Sequence, residues 1–506
     1  MLAALAALPI ALILVLMVGA RWSAARAGLA GVAVTTALAV TAFGYGTRVL
    51  SDLGIVGALG GALAETAFTA VTILWIIGPA LGIHHLQTRT GGTDVLRLAL
   101  GRLSTDPRIV ALLVAWFFAL FIEGAAGFGA SVALAAPFLV TAGFRRVEAV
   151  TIVLIGHAVG VSFGAVGTPV IPQVAATGLG GLEIARATGI YHALLGWVPL
   201  FAVGALVSRG RDLPLRPVLG WMALAGVLFL VPAALLSRYV GPELPTLGGA
   251  LIGGLIFVAV LQGTHRRDDE VADAEPAASG AGLLRAAAPY LVLVALVLVT
   301  RLLPPLQRAL TSVVISWEWG PFSGSVQPLY HPGTVLLVSF ALGALLQRAR
   351  VADVTAAVVR ATRQLAPVTV ALLAMLALAR IMVHSGMVAT LAEATAAFAG
   401  QGWPALAPLV GALGTFITGS ATASNILFTD LQQATAQNLS MPEAPLIGAQ
   451  GFGAAAGNMI CPHNVVAASA TVAISGREGE VLRRTLGVAL TYVAFGGLLA
   501  MAFVHT

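Results

Sequence analysis

Apolar residues gather in long blocks along this chain, and charged residues fall between the blocks rather than alternating with them. Runs of membrane-crossing character occur near residues 3–20, 28–44, 55–84, 109–122, 130–142, 147–166, 190–207, 218–236, 247–262, 286–303, 333–347, 366–383, 405–418, 447–474 and 485–504. A bilayer core needs about 20 apolar residues per helical crossing, so blocks of this length predict membrane helices. The expected architecture is all-α: a polytopic membrane protein of about 12 to 14 transmembrane helices. The first block, Leu2 to Ala20, has no basic leader and is followed at once by a second, so it reads as a span rather than a signal sequence. Two polar stretches stand out. Thr264 to Gly282 (THRRDDEVADAEPAASGAG) has the composition of a flexible cytoplasmic linker, and Arg301 to Pro332 carries Trp317, Trp319 and Tyr330, which suit an interfacial belt.

Composition agrees with that pattern. Of 506 residues, 58% are hydrophobic and 9% charged, against roughly a quarter charged in soluble domains. One cysteine, Cys461, excludes a disulfide framework and a Cys-rich metal site. There is no HExxH, Walker, Rossmann or CxxC pattern, so no cofactor or metal is expected. All 27 basic residues are Arg, and the net charge of +6 fits basic loops at a membrane rather than a nucleic-acid surface. Clusters at Arg21 and Arg26, Arg89 to Arg108, Arg209 to Arg216, Arg266 to Arg285, Arg348 to Arg363 and Arg477 to Arg484 mark the cytoplasmic side. Both termini then lie outside.

The chain also repeats itself. Gly91 precedes Phe121-Ile122-Glu123-Gly124 by 30 residues, and Gly386 precedes Phe416-Ile417-Thr418-Gly419 by the same 30. Further on, Gly167 and Pro172 share a Gly-x4-Pro spacing with Gly457 and Pro462. Two elements in one order predict a duplicated unit, 71–180 and 366–475. Spans at 1–70, connecting spans at 181–263 and 283–365, the linker at 264–282 and a C-terminal span at 476–506 surround it. The loop over 89–108 carries four Arg and its counterpart over 384–404 none, so the copies are expected to insert in opposite orientations. Secondary transporters use such inverted repeats, with a midplane site built from interrupted helices.

Each copy is interrupted where that plan needs it. The apolar run breaks at Gly124-Ala125-Ala126-Gly127-Phe128-Gly129 in the first copy and at Gly419-Ser420-Ala421-Thr422-Ala423-Ser424-Asn425 in the second. Unwound backbone at membrane depth must be satisfied by protein, water or substrate. Half-helix N-termini aimed at a break suit a carboxylate. The competing reading is that such glycines merely let helices pack closely. Candidate substrate contacts are Gly124, Gly127, Gly129, Gly164 and Gly167, with Ser420, Thr422, Ser424, Asn425 and Asn458, and His463 beside them. Hydroxyls and amides donate to carboxylate oxygens, although the same residue types favour helix caps. Arg380, the one deep arginine, either clamps a carboxylate or snorkels outward. Ionisable groups inside spans are functional by default. Glu123 is therefore a candidate proton carrier and His157 its relay, each against a structural hydrogen-bonding role. Glu65 reads as structural, and His84 and His85 as interfacial.

These motifs resemble the L-lactate permease family of bacterial lactate and glycolate permeases. Phe121 to Gly129 (FIEGAAGFG) is nearly the family's FLEGAAGFG, and Ser162 to Pro169 resembles AFGAxGxP. Gly241 to Pro245 matches GPELP. Thr418 to Asn425 resembles TGSDTSSN, and Gly457 to His463 resembles GKMISPQ. The likeness runs in consistent order over about 85–485. It implies a bacterial inner-membrane carrier that imports lactate or a related 2-hydroxy monocarboxylate with a proton. A sodium-coupled carrier and an intramembrane enzyme remain as alternatives, and a homodimer stays open. Three departures stand out: Ala421 replaces the family's acid, Asn458 its lysine and His157 its asparagine. Loss of an acid and a base together suggests a buried pair removed as a unit.

Overall fold

Local chemistry sets the helix boundaries. Ser23 caps Ala24–Thr41 by accepting from the Arg26 amide, Asp106 caps the helix that begins at Pro107, and Ser420 caps Ala421–Asn438. The computed structural model describes residues 2–505 except 17–19, 21, 96–102, 128, 266–279, 475 and 476. The core of the expected polar linker, together with Arg21, Arg97, Arg102, Arg266, Arg267 and Phe128, lies outside the described residues. Among the described residues, nine helices are long and apolar enough to cross a membrane, with shorter apolar helices beside them. Peripheral helices turn large apolar side chains outward, such as Val56, Leu255, Leu284 and Leu498, as a lipid-facing surface requires.

The stretch 301–332 is more than an interfacial connection. After a short helix, Pro304–Thr311, it forms an antiparallel β-hairpin, with Ile315–Trp319 paired to Phe322–Val326 and Gly320 at φ 58° in the turn. The first strand, Ile-Ser-Trp-Glu-Trp, alternates apolar and polar residues, and the second, Phe-Ser-Gly-Ser-Val, alternates in burial, which is a strand period. Phe322 is fully buried against Gly61 and the His384 ring, so the hairpin is docked into the bundle.

Two apolar cores divide the molecule. One packs Gly54–Arg89 against Val351–His384, with Leu2–Leu14 and Ala24–Thr41 on the outside. These two long helices run antiparallel, with Arg89 bonded to Asp353 at 3.0 Å near one end, His85 to Gln364 at 2.9 Å further along, and His384 to Glu65 at 2.8 Å near the other. The other core surrounds the interrupted segments.

The interrupted segments form two helical hairpins and two broken helices. The first hairpin is Pro107–Ala125 followed by Ala130–Thr141, and the second is Trp403–Thr418 followed by Ala421–Asn438. The first broken helix runs Arg146–His157 and Ile171–Thr177, the second Glu443–Gly457 and Pro462–Thr471. Hydrogen bonds fix which ends meet. Arg211 pairs with Glu148, Arg146 reaches the Ala473 carbonyl at 3.3 Å, and Arg108 reaches that of Pro214 at 2.6 Å. Opposite them, Gln433 bonds the Thr177 carbonyl at 3.1 Å and Glu443 at 2.7 Å, while Trp403 donates to Gln432 at 2.9 Å. The first hairpin therefore opens at the Arg146 end and the second at the Glu443 end. The broken helices lie antiparallel between them. Burial follows this plan: the apolar windows of Pro107–Ala125 and Arg146–Thr177 are 89% and 100% buried, against 33% for Arg216–Tyr239 and Gly282–Thr300. Segments sealed from lipid on all sides can carry irregular backbone.

Candidate functional site

Glycines in the left-handed region make the hairpin tips. Gly129, at φ 78°, precedes Ala130–Thr141, and Gly419, at φ 80°, ends Trp403–Thr418. Inside the first tip, Ser131 donates to Glu123 Oε2 at 2.7 Å, joining the two arms across the break. Both residues are buried. Ser131 is in the first turn of its half-helix, where exposed amides and the helix dipole favour negative charge, so the Glu123 carboxyl sits at a positive helix end.

The segment 158–170 lies between the two tips. Ala165 and Val166 hold φ of 42° and 55°, a left-handed pair outside glycine that stores on the order of 1–3 kcal/mol per residue. On one side, Gly164 faces Glu123 and Gly127 packs on Ala165. On the other, Asn425 donates to the Pro169 carbonyl at 2.9 Å. Gly124 and Gly167 serve close packing, against the backbone of Leu247 and Pro242 respectively.

The second tip divides the expected hydroxyl cluster. Ser424 donates to the Gly411 carbonyl at 2.8 Å and accepts from Gln450 at 3.2 Å, and Asn425 is held by Pro169 and Gln450. Those two are committed to protein contacts. Ser420 makes a long cap contact of 3.4 Å, and Thr422 is buried with no hydrogen bond among the described residues, so these two hydroxyls keep donors for a ligand.

His157 joins the two broken helices. Its Nδ1 donates to the Val153 carbonyl at 2.9 Å, because a carbonyl can only accept, and its Nε2 lies 3.0 Å from Asn458 Oδ1. Asn464 also donates to Asn458. The Asn458 side-chain oxygen thus stands between the imidazole and the Asn464 amide. The same ring lies within electrostatic reach of Glu123. The N-termini of Ala130–Thr141 and Pro462–Thr471 meet beside this network, with Gly129 against Asn464. Two positive half-helix ends, one from the first hairpin and one from the second broken helix, thus converge beside Glu123.

The three departures from the family pattern share this neighbourhood. His157 bonds Asn458, while Ala421 packs with Val161, Ala454 and Ala455, one turn from each partner. Arg380 lies elsewhere, bonding the Ala175 carbonyl at 3.3 Å with Glu65 at 3.9 Å. Sequence reasoning passed over Gln450, Asn464, His384 and Asp430. Asp430 left a signal, an acid within Ile426-Leu427-Phe428-Thr429-Asp430-Leu431. His192 is a satisfied structural histidine, bonded to Ser162 and Tyr492 at 2.8 Å each.

A family model described as L-lactate permease matches residues 2–322 and 322–506. An L-lactate permease of Streptococcus iniae is 31% identical over 373 residues, covering 73% of this chain and 78% of its own. The glycolate permease GlcA of Escherichia coli K12 is 27% identical over 86% of this chain and 85% of its own. Among solved structures, the Neisseria gonorrhoeae efflux pump MtrF superposes with a TM-score of 0.53 at 14% identity, covering 95% of each chain, which is a likeness of fold.

Proposed function

Since the chain belongs to the L-lactate permease family, we propose that it imports small 2-hydroxy monocarboxylates, lactate or glycolate, across the bacterial inner membrane by proton symport. The observation that carries this reading is the convergence of two half-helix N-termini, at Ala130 and Pro462, beside the Glu123–Ser131 and His157–Asn458 pairs. Such ends offer free amides and partial positive charge to a carboxylate. The Ser420 and Thr422 hydroxyls supply donors for the substrate.

Coupling follows from charge. Ionised Glu123 and a substrate carboxylate repel each other beside the same helix ends, and a lone ion at this depth is costly. A proton on Glu123 removes the conflict, so anion and proton travel together and the cycle is electroneutral. His157, bonded to Asn458 beside the same helix ends, passes the proton. The opposed openings of the two hairpins and the antiparallel broken helices support reading 71–180 and 366–475 as inverted copies, with the arginine-rich ends in the cytoplasm.

Proteoliposome uptake of labelled lactate under an imposed pH gradient tests the proposal. Glu123→Gln is expected to abolish accumulation while lactate exchange persists. Full gradient-driven accumulation by the variant, or dependence on Na⁺ at fixed pH, defeats it.

A further inference from the structure

A second set of ionisable groups meets away from the glycine breaks. Glu65, on Gly54–Arg89, accepts from His384 Nε2 at 2.8 Å and from the Ser323 amide at 2.9 Å, with the Arg380 guanidinium 3.9 Å away. Asp430 is half-buried on Ala421–Asn438, which packs against the Val351–His384 helix that carries Arg380 and His384, and it lies within electrostatic reach of these two and of Glu65. No hydrogen bond among the described residues reaches its carboxylate. Tyr45 is the other titratable group facing Glu65, and its hydroxyl is occupied by the Ala58 carbonyl at 2.7 Å. Three helices and the β-hairpin thus contribute to one cluster.

Its charges do not balance. Two carboxylates and one guanidinium sum to −1 while His384 is neutral, and one added proton brings the sum to zero. A net ion within spans is disfavoured, so the cluster has a physical reason to bind one proton and to release it where water arrives. Asp430 stands five residues beyond Asn425 on one helix, a rise of about 7.5 Å, which connects this cluster to the second hairpin tip. Phe322 packs on the His384 ring, centroids 4.6 Å apart, so the β-hairpin covers the cluster at the end away from Arg89 and Asp353.

We propose that Glu65, His384 and Asp430, steadied by Arg380, form a second proton-binding site, loaded from the β-hairpin side and distinct from Glu123. This rests on the proton-symport reading. The step is proton binding alone: an Asp430 oxygen or His384 Nδ1 takes a proton from water and later returns it. Neutralisation lets the helices that carry the cluster shift past apolar neighbours.

Proton movement into liposomes, followed with a trapped pH-sensitive dye during lactate uptake, tests both layers. The wild type is expected to move protons with lactate. Asp430→Asn is expected to lose gradient-driven accumulation and proton movement, and its remaining lactate exchange to lose pH dependence; Asp430→Glu restores all three. Glu65→Gln is the second variant should Asp430→Asn fail to fold by gel filtration. A wild type that moves no protons overturns the proposed function and this site together. A proton-coupled wild type with fully coupled Asp430→Asn or Glu65→Gln overturns the site alone. Folded variants that lose exchange as well, without rescue by Glu, show a structural role and also overturn it.

Discussion

Alanine at position 164 tests whether the Glu123 carboxyl must sit where it does. Gly164 has φ −64° and ψ 157°, which alanine adopts without strain, so the backbone is indifferent to the change. The side chain is not: a Cβ would lie 2.5 Å from Glu123 Oε1, and the carboxyl must rotate away from the Ser131 hydroxyl it now meets at 2.7 Å. Losing a hydrogen bond to a carboxyl group costs about 1.5–3 kcal/mol, and crowding costs about 1–3 kcal/mol, less here because the obstructing atom ends a flexible chain. A change of about 2 kcal/mol in how Glu123 is held shifts an equilibrium roughly 30-fold. Lactate accumulation under a pH gradient should fall by that order, while the melting temperature in detergent drops by only a few degrees. Gly167→Ala is the internal contrast. Its φ of 78° and the Pro242 carbonyl oxygen, 2.7 Å from the new Cβ, leave no flexible atom to yield, so folding itself should suffer. Gly164→Ala with wild-type accumulation would refute the placement of Glu123. Transport loss that merely tracks a melting drop as large as that of Gly167→Ala would refute it too.

Asn458→Leu keeps volume but strands His157 Nε2 and the Asn464 amide, two buried groups worth about 1–3 kcal/mol each, so a clearly lowered melting temperature is expected, and an unchanged one contradicts the network. Asp106→Ala removes an N-cap and should cost about 1 kcal/mol. The bonded Arg108 guanidinium holds Asp106 below the usual carboxylate range. Its contribution is therefore complete above the ordinary carboxylate pKa and fades as pH falls through the depressed value. Melting curves of wild type and variant should converge in strong acid, and a gap that stays constant there excludes the ionised cap.

Much of the site was legible because breaks in apolar runs are visible one residue at a time. Gly124 to Gly129 and Gly419 to Asn425 could be located as interruptions, and Glu123 as an acid within a span. What each polar group touches was not visible. Ser424 and Asn425 share chemistry with Ser420 and Thr422, yet Gly411, Pro169 and Gln450 take up the first pair and leave the second available. Arg380 could be recognised as deep, but its neighbours Glu65 and Asp430 come from helices far away in sequence. The β-hairpin at 315–326 was missed because its strand alternation is short and lies among aromatics that equally suit an interface.

The sequence by itself determined that the chain is a bundle of membrane helices, where those helices break, and which family its motifs belong to, because the bilayer's demand for continuous apolar length acts on consecutive residues. Tertiary structure alone decided that the hairpins open at opposite ends, that residues 158–170 lie between their tips, and that His157 meets Asn458 across 301 positions. Those outcomes depend on which buried donors find which acceptors once lipid has excluded water, and pairings at such separation leave no periodic trace along one chain.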